Sequence, residues 1–198
     1  MEENSNTDIN NSEAVILADI YTFLALTMRY PTPSFINKEF LDALTGLLTS
    51  YEMDSELTEI QNFCYSENEE ELLESLQIEY TRLFINAAPH IIAPPYGSFY
   101  LDGDRNLQGK STSKTRDFYR QYGCDITDSA EPADHIRFEL EFLAALARDN
   151  ELDAEETFVT TIFRPWFIQF KKRVLEDKGH PFYRVSVQLI DFFTKEEQ

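Results

Sequence analysis

Apolar side chains recur at spacings of three and four along almost the whole 198-residue chain, and nowhere do they alternate with polar residues over a strand's length. A chain patterned this way can bury its stripes only by packing helix on helix, so the expected fold is all-α. Ile16, Ile20, Phe23, Leu24 and Thr27 mark a first inward face that Tyr30-Pro31 ends, and Asn10-x-x-Glu13 before it has the form of a capping box. Ser34 stands where a second helix starts, with Phe40, Leu41, Leu44, Leu47, Leu48 and Tyr51 inward. A short third helix is expected over about 55–64. Ser66-x-x-Glu69 opens a fourth, with Leu72, Leu73, Leu76, Tyr80, Leu83 and Phe84 on its apolar face. Further helices are expected over 114–122 and over 131–149, the latter with Ile136, Leu140, Leu143 and Ala147 as its stripe. Two more should cover about 155–177 and 181–195, with Pro165 kinking or breaking the first.

The length fits one domain over residues 12–198, behind a polar, acidic and disordered lead-in over 1–11. A hydrophobic content of 42%, with 16 Phe and 10 Tyr, is enough for a core. No apolar run approaches the roughly 18–20 residues that span a bilayer, and the N-terminus lacks the basic-then-apolar order of a signal peptide. Cys64 and Cys124 form no CxxC and no disulfide framework, which points to a reducing cytoplasm. A net charge of −19 opposes nucleic acid and favours cationic partners, although the same charge also serves solubility. Acidic clusters lie at 52–59, 67–74 and 149–156, and Lys171-Lys172-Arg173 forms one basic stretch.

Residues 86–113 break the helical period. Pro89, Pro94, Pro95, Gly97, Gly103 and Gly109 stand there among Ile91, Ile92, Tyr96, Phe99, Tyr100 and Leu101. A loop this long and this aromatic should be ordered, pack down and line something. Its centre, Pro94-Pro95-Tyr96-Gly97-Ser98-Phe99-Tyr100, lies about 35 residues before Glu131-Pro132-Ala133-Asp134-His135. Pro132 suits the first turn of a helix, which puts Glu131 near its N-cap and Asp134 and His135 in the first turn. The helix dipole there favours a charged Asp134 and a neutral His135. Two readings stay open. Asp134 and His135 are a helix cap, and Tyr96 and Tyr100 anchor the loop. Alternatively, Asp134 accepts a bidentate pair from an arginine beside an aromatic wall made by the two tyrosines, with Leu83 and Phe84 closing the core beneath it.

Other chemistry finds little support. Gly103-x₅-Gly109-Lys110-Ser111 nearly spells a phosphate-binding loop but has five residues between its glycines instead of four, and it lacks a preceding buried strand. Nucleotide binding or hydrolysis there remains the alternative, as does a scaffold role in a larger assembly. No G-x-S-x-G elbow is present, and His90, His135 and His180 lie far apart with no short-spaced cysteine ligand. No catalysis, metal or cofactor is expected.

The two motifs, in this order, resemble those of the TorD/DmsD/NarJ family of chaperones for molybdenum-containing redox enzymes. Tyr80-Thr81-Arg82-Leu83-Phe84 resembles the family's x-x-R-L-F helix end. Residues 94–102 resemble its Pro-Pro-aromatic loop, and residues 131–135 its E-P-x-D-H signature. Pro165-Trp166 and His180-Pro181-Phe182-Tyr183-Arg184 resemble its C-terminal helices, so the likeness runs over about 12–195. Gly97, in place of the glutamate of many relatives, resembles the DmsD-like branch that serves dimethyl-sulfoxide-reductase-type enzymes. Tyr96 and Tyr100 depart from the tryptophans common there, and the stretch 85–93 is about one residue longer. The resemblance implies a helical bundle. It also implies a cytoplasmic, non-enzymatic chaperone, monomeric or weakly dimeric, that binds the twin-arginine signal peptide of a molybdoenzyme catalytic subunit before export. Carried onto this sequence, the peptide-binding set would be Leu83, Phe84, Pro95, Tyr96, Tyr100, Glu131, Asp134 and His135.

Overall fold

The computed structural model describes residues 2–64, 68–87, 90–103, 107–126, 131–177 and 179–195, with side chains from Ser12 onward. The expected lead-in over 1–11 and the Asn10 capping box fall outside those described side chains. In chain order the helices are α1 (Glu2–Thr27), α2 (Lys38–Ser50), α3 (Asp54–Cys64), α4 (Glu69–Tyr80), α5 (Gly97–Leu101), α6 (Lys110–Gln121), α7 (Ile136–Arg148), α8 (Leu152–Phe158), α9 (Arg164–Glu176) and α10 (Pro181–Thr194). A 3₁₀ turn at Pro33–Phe35 precedes α2, and π turns at Thr81–Ile85 and Val159–Phe163 follow α4 and α8. Among the described residues there is no strand, only an isolated antiparallel bridge between Tyr96 and His135. The all-α expectation holds.

The chain divides into two compact units. One comprises 1–28, 95–170 and 194–198, and the other 29–94 and 171–193. In the first, α1 packs on α7. The buried face of α1 is Ala14, Ala18, Ile20, Tyr21, Leu24, Ala25, Thr27 and Met28. The expected Ile20, Leu24 and Thr27 are thus inward and Phe23 is half-buried, whereas Ile16 of that stripe is exposed. Ala14, Ala18 and Ala25 let α1 and α7 approach closely. On α7 the expected stripe is present, with Ile136, Leu140, Leu143 and Ala147 all fully buried. Across this core Tyr21 donates to Glu155 (2.7 Å).

In the second unit, α2 carries Leu44 and Leu48 inward and α4 carries Leu72, Leu76 and Tyr80. Two caps differ from expectation. Ser34 lies inside the 3₁₀ turn, and Asn37 caps α2 by accepting from the Phe40 N–H (2.8 Å). Asn68 caps α4 by accepting from Glu70 and Glu71 (both 3.1 Å), while Ser66 is outside the described residues. Both asparagines sit directly before the helix, where a side-chain oxygen reaches the second and third N–H groups. The Arg82 guanidinium explains the x-x-R-L-F motif as a staple. It donates to Glu79 from Nε (2.6 Å) and Nη2 (2.7 Å), and it also pairs with Asp177. Glu79 Oε1, the oxygen that meets Nη2, also accepts from the His180 N–H (2.9 Å). Glu79 therefore ties α4 to the turn before α10. The basic run is likewise absorbed locally. Lys171 pairs with Asp191 (2.7 Å), Lys172 with Glu176 (3.7 Å), and Arg173 donates to the Ile92 carbonyl (3.2 Å).

Helix boundaries shift near the motifs. The helix expected over 131–149 begins only at Ile136, so Pro132 lies in the turn before it and not in its first turn. The expected helix over 114–122 starts four residues earlier, at Lys110. No break falls at Pro165: the helical path runs from α8 through the π turn into α9, and the Thr161 carbonyl, four residues before the proline, accepts from Lys114 instead (3.0 Å). The long loop over 86–113 does pack down, but α5 and the start of α6 interrupt it.

Candidate peptide-binding site

The two motifs come together in the first unit, through backbone rather than side chains. The Gly97 N–H donates to the Asp134 carbonyl and the Ile136 N–H to the Pro95 carbonyl, each at 2.9 Å. This two-bond zipper holds Tyr96 opposite His135. Proline at 94 and 95 can donate to neither strand, so the acceptor role falls to the Pro95 carbonyl. The Asp134 side chain completes the join. Its Oδ2 accepts from the Ser98 N–H (2.5 Å) at the first turn of α5.

Asp134 is fully buried. The carboxylate that the sequence offers as a surface partner for arginine is thus turned inward, where it caps the first turn of α5. Truncating it removes the cap of α5 and costs roughly 1–2 kcal/mol of stability. His135 is also corrected. It is the N-cap of α7, not a first-turn residue, and its Nδ1 accepts from the Arg137 N–H (3.1 Å). The neutral imidazole expected there is retained, with burial as its main cause and not the helix dipole. Burial first, and the Arg137 charge second, lower its pKa to about 3.

The partly accessible face of this junction is aromatic and acidic. The Tyr96 ring meets His135 edge-on at 5.0 Å, and its hydroxyl donates to the exposed Glu131 (2.5 Å). His135 meets Phe138 at 6.0 Å, and the Arg137 guanidinium lies 4.3 Å over the Phe138 ring while pairing with Glu141 at 3.6 Å. Pro95 is buried and anchors the zipper. Tyr100 is half-buried and stacks on Trp166 at 5.8 Å. Leu83 and Phe84 belong to the second unit and are buried. Phe84 meets Tyr80 at 5.0 Å and Tyr183 at 5.3 Å, and the Leu83 carbonyl accepts from Ala93 (2.8 Å). They are core residues there, as the continuation of the fourth helix's face predicts.

Two features escaped the sequence reading. Trp166 is fully buried, and its indole N–H donates to Glu139 (2.9 Å), itself fully buried. A Cβ added at Gly97 would come within 3.1 Å of that indole, so Gly97 is the position at which the loop lies flat on Trp166. Glu139 is one residue from the α7 stripe, and a carboxyl there is the signal that could have revealed it. The second feature is Asp102, whose carboxylate accepts from the Ser111 N–H (3.1 Å) and Ser111 hydroxyl (2.7 Å) at the start of α6. An internal carboxylate thus occupies the helix end where the glycine loop would have cradled phosphate. A Cβ at Gly109 would fall 1.9 Å from Asp102 Oδ2, which explains that glycine without a nucleotide. Among the described residues no group of three or more His, Cys, Asp or Glu side chains is arranged to hold a metal, and no helix is long and apolar enough to cross a membrane.

This geometry has relatives. A family model described as the nitrate reductase delta subunit matches residues 49–172. The chain is 35% identical over 119 residues to the Tat proofreading chaperone DmsD of Salmonella typhimurium, a stretch covering 59% of this chain and 57% of that relative. It is 26% identical over 181 residues to the chaperone protein TorD of Shewanella sp. strain ANA-3, covering 89% of this chain and 86% of that one. Among solved structures, a redox enzyme maturation protein from Archaeoglobus fulgidus superposes with a TM-score of 0.59 at 27% identity, over 90% of this chain and 94% of the other. The two-motif junction and these matches agree, and the chain belongs to the nitrate reductase delta subunit family, the NarJ/TorD chaperones.

Proposed function

We propose that this chain is a cytoplasmic chaperone of the DmsD-like branch. It binds the twin-arginine signal peptide of a dimethyl-sulfoxide-reductase-type catalytic subunit and retains that subunit until its cofactor is inserted and it has folded. The observation that carries the reading is the junction of Tyr96, Glu131 and His135 in a chain whose relatives are named as Tat proofreading and TorD chaperones. A leader peptide of this kind has paired arginines followed by an apolar stretch. Glu131 supplies an exposed carboxylate for a guanidinium, and the Tyr96 ring supplies a face on which it can stack. Asp134 acts indirectly, by holding the loop that presents Tyr96. No covalent step is required, and the chaperone acts as a binder and not an enzyme. Net charge of −19 steers the cationic leader toward the protein, while buried apolar area holds it. Monomeric or weakly dimeric assembly is part of the same proposal.

Calorimetric titration with a twin-arginine peptide and a twin-lysine control tests it. Arginine binding that weakens severalfold in Tyr96→Ala and Glu131→Gln, with unchanged thermal unfolding, supports the reading. Equal affinity for both peptides, or none for either, refutes it. The association rate should also fall as salt rises toward physiological strength, with dissociation less affected.

A further inference from the structure

Beneath the two-motif junction lie two carboxyl groups that the reading above does not use for contact. Asp134 and Glu139 are both fully buried. Each has one oxygen engaged, Asp134 by the Ser98 N–H and Glu139 by the Trp166 indole. Their other oxygens, Asp134 Oδ1 and Glu139 Oε1, are buried and make no hydrogen bond. The groups acting on Glu139 are Asp134 from the preceding turn, Trp166 from α9 and Thr115 from α6, and Tyr119 of α6 lies within reach of its charge. On α1 and α8, Tyr21 and Glu155 satisfy each other. None of these groups is a cation. A buried carboxyl such as Glu139, with no cation among these groups, is costly to ionise, and a proton on it removes the charge.

We propose that Glu139 is the positioning residue of the motif-bearing segment: Glu139 sits protonated in the core, and through the Trp166 indole it fixes where Gly97, the α5 turn and Tyr96 sit. Its pKa is raised well above the carboxylate range by burial and then by the Asp134 charge, against the opposing hydrogen bond of Trp166. The chain of contacts is short. Glu139 holds the indole, the indole meets the Gly97 backbone, and Gly97 is bonded to Asp134. The stability and fluorescence consequences stand alone, whereas the consequence for leader binding rests on the function proposed above.

The test uses Glu139→Gln and Glu139→Leu in the full chain. Glutamine mimics the protonated acid. A carboxyl that stays protonated when folded but ionises when unfolded destabilises the fold progressively as pH rises above about 4.5, with one proton retained per folded molecule. The ratio of the Glu139→Gln folding constant to that of the wild type should therefore climb about tenfold per pH unit between pH 5 and 7. A ratio independent of pH overturns the protonated Glu139. The chain has a single tryptophan, so its emission reports Trp166 alone. Glu139→Leu removes the indole's acceptor and should shift that emission and weaken twin-arginine peptide binding by roughly tenfold, the loss of one hydrogen bond's positioning, while Glu139→Gln restores both. Emission and affinity in Glu139→Leu equal to the wild type overturn the positioning role. Should Glu139→Leu fail to fold, the pH series on Glu139→Gln still decides. Absence of peptide binding by the wild type, with the pH series and emission as expected, sinks the leader-binding function and leaves the protonated Glu139 and its hold on Trp166 intact.

Discussion

Acidification should destabilise this protein through His135, and His135→Asn should remove that loss. The imidazole is buried, caps α7 through Nδ1, and has a pKa lowered to about 3. In the unfolded chain it titrates near 6.5. Below that value the unfolded state binds a proton that the folded state does not, so stability contributed by the neutral ring is present above about pH 6.5 and is lost as pH falls toward 3. At about 1.4 kcal/mol per pH unit per proton, the descent from pH 7 to 5 costs about 2 kcal/mol. Asparagine keeps a capping oxygen and does not titrate. Its lost ring contacts with Tyr96 and Phe138 are a pH-independent offset. The assay is urea unfolding of both proteins at pH 7, 6 and 5. The difference in stability between them should move by about 2 kcal/mol in favour of the variant across that range. His180, lowered to about 4 by burial against the opposing Glu79 charge, is present in both proteins and cancels. A difference that stays constant with pH would mean that His135 is protonated when folded, and the burial argument would fail.

Other outcomes follow from the same contacts. Gly109→Ala should lower stability by roughly 1–2 kcal/mol, since the added Cβ collides with Asp102 and strips α6 of its cap; unchanged thermal unfolding would contradict this. Arg82→Met should cost about 2 kcal/mol by leaving Glu79 and Asp177 without their shared partner, at the low end for broken ion pairs because the guanidinium is 38% exposed, and a loss below about 0.5 kcal/mol in chemical denaturation would show the staple to be idle. Glu52 holds the left-handed position after α2 with φ of 55°, and the Met53 N–H closes the helix end on the Leu48 carbonyl, so Glu52→Gly should raise stability by about 0.5–1 kcal/mol, with no rise in melting temperature as the adverse result.

The residue pattern alone settled the fold class and most of the inward faces. The stripes on α4 and α7 follow directly from period, because a large apolar residue at each turn has no cheaper place than the core. The motif pair was legible too, since Pro-Pro before aromatics and Glu-Pro before Asp-His are not what a plain helical bundle needs. Period did not show that α1 also buries Ala14, Ala18 and Ala25, small residues that let the partner helix come close. Nor could sequence show that Asp134 points inward. In sequence an aspartate beside a histidine looks like a surface pair. Only the fold brings the Ser98 N–H to it from 36 residues away and makes burial affordable. The same is true of Glu139 and Trp166, which are 27 residues apart and whose side chains only the fold brings within hydrogen-bond distance. Hydrogen bonds between distant segments carry no period, so the polar interior of this protein is a product of its tertiary structure.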